Sequence, residues 1–409
     1  MNSKQLFEIA LGNIQPWQIE KIEFLNGEDN AKELHLHLDF PKGSTFLDEK
    51  GVASKAYDTK LHTWRHLNFF EHRCYLHASV PRITSSTGGV KTVQVPWARR
   101  NTGFTLLFEA YAMSLIELEM PVSNVAKLLG EHDQRIWNVF HYWVGQAREN
   151  TSGEGITKVG LDETSTKKGH NYVTIGVDLD GRRVFEVVEG KDSKAVEKLG
   201  EYLEANGSPK AQVSQLSIDM SPAFVSGCMG TFDNGAITFD RFHVTKVVNK
   251  AMDELRKRER AECELLKGHK YTLLRNPVKL SGKKLDELLD LLELYPKIGE
   301  GYRLKELFKE FWDFDEQKLA EDFLENWCRS VDRSGIFPFQ DAAKTIRAHW
   351  SGIVNYATSK VSNGILEGIN SKVQLARKRA RGYRNTKNFI SMILFLCGKL
   401  NFQPLYAKP

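Results

Sequence analysis

The chain has few cysteines, and none of them has the spacing of a metal or redox site. Only five occur in 409 residues, and they are scattered along the sequence: Cys74, Cys228, Cys263, Cys328 and Cys397. No two of them form the closely spaced pairs that are typical of zinc ribbons or redox motifs. We therefore expect no disulfide framework, and we predict reduced thiols in a cytosolic protein.

Long apolar segments are also absent. No run approaches the ~20 residues that a helix needs to span a bilayer. We expect no signal peptide, because the N-terminus lacks the charged and apolar pattern of one. The apolar stretch at 390–396 is short and is typical of the end of a buried helix. These absences argue against a membrane protein.

The excess of positive charge is small. A net charge of +5 and an isoelectric point near 8.7 only weakly favour a nucleic-acid partner. The composition, 41% hydrophobic and 27% charged, is that of a globular protein. A chain of 409 residues is too long for one ordinary core, so two or three domains are predicted.

Positive charge is concentrated near the C-terminus. The stretch 372–387 contains no acid and seven basic residues: Lys372, Arg377, Lys378, Arg379, Arg381, Arg384 and Lys387. Such a run favours contact with a polyanion such as DNA. The candidate phosphate contacts are Lys372, Arg377, Arg381 and Arg384. The alternative is a solvated helix face, since charge runs are common on protein surfaces.

An acidic residue, Glu367, immediately precedes this run. The segment 362–374 is predicted to be a helix, because Leu366, Ile369 and Val373 recur at helical spacing, and Ala376 continues the stripe. Another side of the same helix carries four polar residues: Asn363, Glu367, Asn370 and Gln374. An acid on an amide-rich face, ahead of a cationic run, is consistent with metal-assisted chemistry on a polyanion. An amphipathic helix with a basic end is the simpler interpretation.

The first hundred residues are predicted to be rich in β-strands. Residues 33–39 alternate between apolar and polar side chains, as a half-buried strand does. Residues 41–60 are predicted to be irregular. Residues 61–97 are predicted to form two strands joined by a Ser/Thr/Gly turn at 84–89. The arginines and aromatics interleaved there fit a DNA-binding surface and an ordinary β surface equally well.

Two histidines, His35 and His37, fall on one face of the strand predicted at 33–39. They suggest either a metal site or an exposed strand face. Because no cysteine is nearby, we expect the exposed face.

Residues 103–150 change to helical periodicity. One helix is predicted at 104–119, and two further helices follow, separated by Gly130. A glycine at the turn and a polar start to the second helix indicate a helix-turn-helix. Gln134 and Arg135 stand where base or phosphate contacts would be made. Helix pairs with a glycine turn are also common in proteins that do not bind DNA.

From residue 156 the β pattern returns. Strands are predicted at 159–163, 172–178, 183–189, 213–219 and 237–243, and helices at 193–206, after Ser221 and from Val244. The order β-β-β-α-β-α-β-α is an RNase H-like arrangement, in which the first and fourth strands are neighbours. Asp162 and Asp219 end those two strands, so we expect them side by side, where carboxylates can share a metal site.

Residues 244–350 are predicted to be helical and highly charged, and we interpret them as an all-α insertion. Its tryptophans, Trp312, Trp327 and Trp350, are expected in the core. The predicted fold class is α/β: an RNase H-like catalytic core interrupted by an all-α insertion and preceded by a small β region and a helix-turn-helix. The predicted regions are 1–100 (β-rich), 101–150 (helix-turn-helix), 156–250 (first part of the core), 251–352 (insertion) and 353–409 (final helix with the acid and basic tail).

The chain resembles the ISL-three family of bacterial insertion-sequence transposases, which carry a DDE-type, RNase H-like catalytic domain. The resemblance covers most of the chain, and the motifs that carry it are short: 63–67, 95–98, 159–165, 216–222, 239–244 and 362–368. Each motif alone is short, but together they are specific.

The resemblance implies a catalytic triad of Asp162, Asp219 and Glu367, which would also be the metal ligands. It places His243 near the active site and Asn363 in the motif that precedes the catalytic acid. Two Mg²⁺ ions are expected, and Mn²⁺ should be able to replace them. In this hypothesis Asp162 bridges the ions, while Asp219 and Glu367 each hold one.

Glu163 is the main rival ligand. It is disfavoured because the residue next to Asp162 on a strand points to the opposite face.

The resemblance also implies the partners and the location. The expected partners are DNA, as terminal inverted repeats and as target, and further copies of the chain, at least as a dimer on DNA. The expected location is the bacterial cytoplasm, in association with the nucleoid.

The sequence departs from the family in one respect. The family usually begins with a cysteine-rich zinc-binding module, whereas residues 43–59 and 84–89 contain no cysteine. A thiolate zinc site cannot form there, so no zinc is expected.

Two other functions remain as alternatives. A catalytically silent relative could bind DNA as a regulator; the complete set of acids argues against it, and the missing cysteines argue mildly for it. A glycoside hydrolase would also use paired carboxylates. Its sugar-binding aromatics should cluster near the acids, and they are sparse around Asp162 and Asp219.

Overall fold

The computed structural model describes residues 2–27, 31–166, 171–262, 264–361 and 364–402. They form two compact units: residues 2–148 with 401–402 in the first, and residues 149–400 in the second. The finer division into five regions stays a prediction. Within the described ranges, no helix combines the length and the apolar character needed to cross a membrane.

The first unit contains a sheet with the order β1-β2-β5-β4-β3, and β6 pairs with β5. Its elements are α1 (Ser3–Leu11), β1 (Gln18–Asn26), β2 (Lys32–Asp39), β3 (Thr45–Leu47), β4 (Ala53–Phe69), β5 (His72–Thr84) and β6 (Val90–Thr92). The predicted alternation in β2 is confirmed, because Leu34, Leu36 and Leu38 are buried. They pack with Trp17 and other residues in one hydrophobic core.

The long hairpin of β4 and β5 differs from the prediction. β4 already begins at Ala53, where we predicted irregular chain, and the chain reverses at Phe70, whose φ is +53°. The first half of β4 carries polar residues and few buried ones, so it lacks the apolar alternation that reveals a strand. The predicted turn at 84–89 joins β5 only to the short β6.

The histidines of β2 are not on an exposed face, contrary to the prediction. His35 and His37 are half-buried, and both rings stack on His77 of β5. His35 Nδ1 and His77 Nε2 lie 2.8 Å apart, at hydrogen-bonding distance. Parallel pairing of β2 with β5 brings the three rings together, and that pairing is not visible in the sequence.

Three helices follow in the first unit: α2 (Leu106–Glu117), α3 (Val122–Leu129) and α4 (Asp133–Glu149). α3 ends at Gly130, which has φ +66° and ψ +38°, a left-handed conformation that glycine adopts without steric cost. Val125 on α3 and Ile136 and Phe140 on α4 are fully buried. The predicted pair of helices around a glycine turn is confirmed.

The second unit contains a mixed sheet with the order β11-β10-β7-β8-β9. Its strands are β7 (Lys158–Ser165), β8 (Tyr172–Asp178), β9 (Arg183–Glu189), β10 (Gln215–Ile218) and β11 (Ala236–Phe239), with α5 (Ser193–Ala205) and α6 (Pro222–Thr231) between them. β7, β8 and β9 are antiparallel, while β10 runs parallel to both β7 and β11. The expected neighbourhood of the first and fourth strands is confirmed.

The fifth strand is shorter than predicted. β11 ends at Phe239, and α7 (Arg241–Glu262) begins two residues later, so His243 lies in the first helical turn and not on a strand. The cause is Asp240, whose carboxylate accepts a hydrogen bond from the Phe242 amide at 3.0 Å and starts the helix.

The described residues between β11 and 361 form helices and no strand. After α7 come α8 (Lys270–Leu274), α9 (Lys283–Leu294), α10 (Pro296–Phe308), α11 (Gln317–Ser334), α12 (Phe337–Ala348), α13 (Trp350–Val354) and α14 (Tyr356–Ser359). Trp312 and Trp327 are buried as predicted, whereas Trp350 is half-buried. These helices share one hydrophobic core with β7, β10 and β11, through residues such as Phe239 of β11 and Phe339 of α12.

Two helices complete the second unit: α15 (Gly364–Arg379) and α16 (Thr386–Cys397). Leu366, Ile369 and Val373 of α15 are buried in a cluster with residues of β8, β9 and α16, so the predicted apolar stripe is confirmed. The four described cysteines are buried and form no disulfide, and Cys263 lies outside the described residues.

Candidate active site

Three aspartates lie at the same level of the sheet. Asp219 and Asp240 directly follow β10 and β11, whereas Asp162 lies within β7, which continues to Ser165 and so does not end at Asp162 as predicted. Ser217 pairs with Gly160, and Ile218 pairs with Phe239. Continuing this register brings Asp219 beside Asp162 on one side and beside Asp240 on the other. The parallel pairing of the strands therefore gathers acids that are distant in sequence at one edge of the sheet.

Asp162 is partly withdrawn from water. Its Oδ1 accepts a hydrogen bond from the Glu163 amide at 2.7 Å, and its Oδ2 accepts one from Asn370 Nδ2. Desolvation raises the pKa of Asp162 to about 6, and the negative charge of Asp219 adds to this rise. The two hydrogen bonds and the nearby His243 oppose it. A carboxylate in this state gains from a compensating cation.

Asp219 follows β10 directly and leads into α6. Its Oδ1 accepts a hydrogen bond from the Ser221 amide at 2.9 Å, forming a local turn. Pro222 then occupies the first position of α6, where its missing amide hydrogen costs nothing. The turn fixes Asp219 at the strand end.

His243 and Asp240 form an ion pair beside the first two aspartates. His243 Nδ1 lies 2.7 Å from Asp240 Oδ2, and Asp240 is only 6% exposed. The hydrogen bond to Asp240 raises the pKa of His243, the charges of Asp240, Asp219 and Asp162 raise it further, and burial opposes them. With Nδ1 bound to Asp240, Nε2 is the ring nitrogen left to meet a phosphate or a water molecule.

Glu163 shares this environment. Desolvation raises its pKa, and among the charges that act on it are Lys191, Asp219 and His243. Although side chains alternate along a strand, Glu163 still lies within the electrostatic influence of the site. Glu163 therefore stays a rival ligand.

Helix α15 is tied to strand β7 by three polar side chains on one helix face. Asn370 donates to Asp162, Gln374 Nε2 donates to Thr164 Oγ1 at 3.0 Å, and Arg377 Nη1 donates to the backbone oxygen of Ser165 at 2.7 Å. The spacings of four and three residues follow successive helical turns. These bonds set the register of α15 along β7. The local sequence shows a polar helix face but does not reveal its partners on β7.

Glu367 is exposed and lies on α15 one turn before Asn370, about 4.5 Å along the helix axis. The structure thus brings Asp162, Asp219 and His243 together, with Glu367 on the adjoining helix. Among the described residues, no three His, Cys, Asp or Glu side chains stand close enough to hold a metal ion. Asn363 lies outside the described residues.

The residues present nonetheless fit a divalent cation. Carboxylate oxygens are the ligands that Mg²⁺ prefers, and Asp162 is desolvated beside Asp219. In addition, Asn370 Oδ1 is buried and has no hydrogen-bond partner in the described part of the chain. An orphaned acceptor next to a desolvated carboxylate favours a site completed by a cation and its water.

The residues predicted to contact DNA differ in their exposure and in the contacts that their side chains already make. Gln134 is exposed, and its Nε2 donates to Asn138 Oδ1 at 3.0 Å. Arg135 is paired with Glu131 and lies over the Phe104 ring at 4.2 Å. Lys372, Arg381 and Arg384 are exposed, whereas Arg377 is half-buried and tied to Ser165, so its guanidinium also serves packing. No ion pair is recorded for the three exposed cations within the described ranges.

The comparisons with known proteins agree with this architecture. Residues 159–393, more than half of the chain, match a family profile described as a transposase. The protein is therefore a transposase by class. Residues 93–144 match the helix-turn-helix domain of transposase family ISL3. The chain belongs to the ISL3 (ISL-three) family of transposases.

Two relatives illustrate the similarity over the whole length. The chain is 25% identical over 406 residues to the transposase for insertion sequence element IS1001 of Bordetella parapertussis, covering 96% of this chain and 98% of the relative. It is 24% identical over 432 aligned positions to the transposase for insertion sequence element IS1557 of Mycobacterium tuberculosis, covering 96% and 95%.

Proposed function

We propose that this transposase cleaves DNA at the ends of an insertion sequence and joins those ends to target DNA with the help of divalent cations. The observation that carries the proposal is the register of β10 on the parallel strand β7, which, continued past β10, brings Asp219 beside Asp162 under a helix that carries Glu367. The strand order supports an RNase H-like core, interrupted after β11 by an all-α insertion.

In this proposal Asp162, Asp219 and Glu367 hold two cations, Mg²⁺ in the cell and Mn²⁺ as a replacement. Held by these carboxylates, the cations would supply the charge that activates an attacking oxygen and stabilises a leaving 3′ oxygen. Asn370 keeps Asp162 in place through its hydrogen bond. Glu367 is an exposed side chain with rotamer freedom, and its position one turn from Asn370 allows it to turn toward the two aspartates.

The remaining residues act on the DNA. Asp240 orients His243 and favours its charged form, so that His243 Nε2 can donate to a phosphate or position a water. Lys372 on α15, and Arg381 and Arg384 just after this helix, contact the phosphate backbone. Gln134 and Arg135 contact DNA from the helix-turn-helix. Dimers or larger assemblies form on the DNA.

A catalytically silent, DNA-binding relative is the second candidate. It is favoured by the exposed position of Glu367, by the absence of a metal-holding group of three His, Cys, Asp or Glu side chains among the described residues, and by the lack of cysteine at 43–59 and 84–89.

Cleavage of the DNA that flanks the gene distinguishes the two candidates. End-labelled flanking DNA is incubated with wild-type protein or with Asp219→Ala, in Mg²⁺ and in Mn²⁺. A defined cut near a repeat that is absent with Asp219→Ala supports the proposal. Binding of the same DNA without any cut supports the silent relative.

A further inference from the structure

The first unit contains a cavity of about 420 Å³ that the proposed chemistry does not use. It lies between β4, β5 and β6 and the segment 93–102, which leads into α2. The twelve residues that line it within the described part of the chain include three basic side chains, two amides, two hydroxyls and no acid. A volume of this size is within the range of pockets that bind small molecules or single nucleotides.

One wall of the cavity is aromatic and rigidly supported. The His62 ring stacks on Trp64, with 5.7 Å between the ring centroids and 24° between the planes. Trp64 is only 6% exposed, and Trp97 packs edge-on against it at 5.6 Å. Flat rings that are held in place offer a stacking surface for another planar group.

The basic side chains of the cavity are not equivalent. Lys91 is paired with Glu49 at 2.8 Å, and Arg99 is held by Glu109 at 2.9 Å. Arg100 is exposed and forms no recorded hydrogen bond or ion pair within the residues that the structure describes. Arg100 is therefore the cation that remains available to an anionic ligand.

The segment that closes the cavity has two further features. Asn101 has φ +58°, a left-handed conformation that asparagine tolerates better than most residues other than glycine. Residues 93–102 also belong to the part of the chain that matches the helix-turn-helix domain of the family. The cavity is thus built partly from the family's DNA-binding module, ahead of its helices.

We propose that this cavity binds an unpaired nucleotide of the DNA on which the transposase acts. The base stacks on the His62 ring, which the buried Trp64 supports from behind, and the adjoining phosphate is bound by Arg100. Stacking on aromatic rings tolerates any base, so the site recognises an unpaired strand and not a sequence. This inference rests on the proposed function, because it takes the DNA to be opened or distorted at the site of cleavage.

The first test locates the strand on the full-length protein. A single-stranded dodecamer of thymidine with one central 5-iododeoxyuridine is crosslinked by ultraviolet light, and the attached peptide is identified by mass spectrometry. A crosslink to the peptide containing His62 and Trp64 is expected, both with wild-type protein and with Asp219→Ala. Crosslinks found only elsewhere would overturn the proposal.

The second test measures affinity for the same dodecamer by fluorescence anisotropy at fixed salt. His62→Ala and Arg100→Ala should each weaken binding at least about fivefold, the lower end of what base stacking contributes. Lys55→Ala removes an exposed cation of β4 that does not line the cavity, and it should bind like wild type. Wild-type affinity in both cavity variants would contradict the proposal. Arg100 is exposed, so its variant should fold even if His62→Ala does not.

Two controls complete the tests. The first distinguishes a DNA strand from a free nucleotide as the ligand, and the second distinguishes failure of this inference from failure of the proposed function. Free thymidine monophosphate competes with the dodecamer only weakly if a DNA strand is the ligand; tighter binding of the mononucleotide would overturn that identification. A crosslink at the cavity without cleavage of the flanking DNA leaves this inference standing while the proposed function fails. Cleavage of the flanking DNA without a crosslink at the cavity would overturn this inference and leave the proposed function standing.

Discussion

Asn370 Nδ2 donates a hydrogen bond to Asp162 Oδ2 across 208 positions of sequence, and this bond joins helix α15 to the central strand β7. The same amide leaves its Oδ1 buried and without a partner in the described residues. One side chain therefore holds a candidate metal ligand and also presents an acceptor beside it. It is the closest link between the two aspartates and the helix that carries Glu367.

Asn370→Ala should lower metal-dependent DNA cleavage about 10- to 100-fold, as loss of a residue that orients a metal ligand typically does. Part of the loss should be recovered by raising the Mn²⁺ concentration, because Asp162 remains present but is less well oriented. Single-turnover cleavage measured over a range of Mn²⁺ concentrations tests this. Gln374→Ala is the matched control: it removes the bond to Thr164 one turn later and should have a smaller effect. Equal losses in the two variants would assign Asn370 a purely structural role.

Asp162→Asn should stabilise the metal-free protein above pH 6. The folded state raises the pKa of Asp162 from 3.8 to about 6, so it binds this proton more tightly than the unfolded chain does. Stability contributed by this group is therefore lost as the pH rises from about 4 to about 6. The substitution removes that loss, which is at most about 3 kcal/mol.

Thermal melts of Asp162→Asn and wild type, compared from pH 4 to pH 8 in a chelator, measure this difference. It should grow with pH and level off above about 6, in keeping with the raised pKa of Asp162. Adding Mg²⁺ should raise the melting temperature of wild type more than that of Asp162→Asn. A constant difference across the pH range would mean that Asp162 titrates normally.

The sequence predicts the elements of this site better than it predicts their contacts. Alternation and helical spacing depend on neighbouring residues, so the strand that contains Asp162 and the helix that carries Glu367 could be recognised locally, although β7 continues to Ser165, beyond its predicted end. The hydrogen bond between Asn370 and Asp162 depends on the register with which α15 packs on β7. No local sequence pattern determines that packing register. The early start of β4 was missed because its first half is polar on both faces.

Asp240→Asn should lower the pKa of His243. The hydrogen bond to Asp240 is the largest cause of the raised pKa of His243, and the negative charge of Asp240 adds to it. The ion pair stabilises the fold fully below pH 6.5, and the contribution is lost as the pH rises through the raised pKa. Titration of the His243 ring signals by nuclear magnetic resonance measures the change. Asp180→Asn, which removes an exposed aspartate paired with Lys158, should leave those signals unchanged.

Substitutions in the cationic run should separate DNA affinity from stability. Lys372→Ala and Arg384→Ala remove exposed cations, so each should weaken DNA binding and reduce the slope of log affinity against log salt by about 1. Arg377→Ala should also lower the melting temperature, because Arg377 holds the Ser165 carbonyl of β7. Salt titrations of binding, with melts of the same proteins, test both statements. Lys198→Ala, an exposed lysine outside the run, serves as control, and equal salt slopes in all variants would exclude a phosphate role.

Gly160→Ala should disturb the site without removing any of its polar groups. A methyl group at this buried position would lie 3.0 Å from Leu366 Cδ1 and 2.8 Å from Leu179 Cδ2, so it presses on α15 where the helix rests on β7. Overpacking of this kind costs about 1–3 kcal/mol. A displaced α15 also weakens the bond between Asn370 and Asp162, so cleavage should fall together with the melting temperature.

Gly230→Ala is the matched control for this substitution, because a methyl group there meets no atom within 4 Å and the position is an exposed one in α6. It should melt at or above the wild-type temperature and cleave normally, since alanine favours a helix over glycine. Gly160→Ala protein that melts lower yet cleaves at the wild-type rate would mean that the position of α15 does not govern the reaction. Loss of cleavage in both glycine variants would show that the assay reports general damage, and the role of α15 would then rest on Asn370→Ala alone.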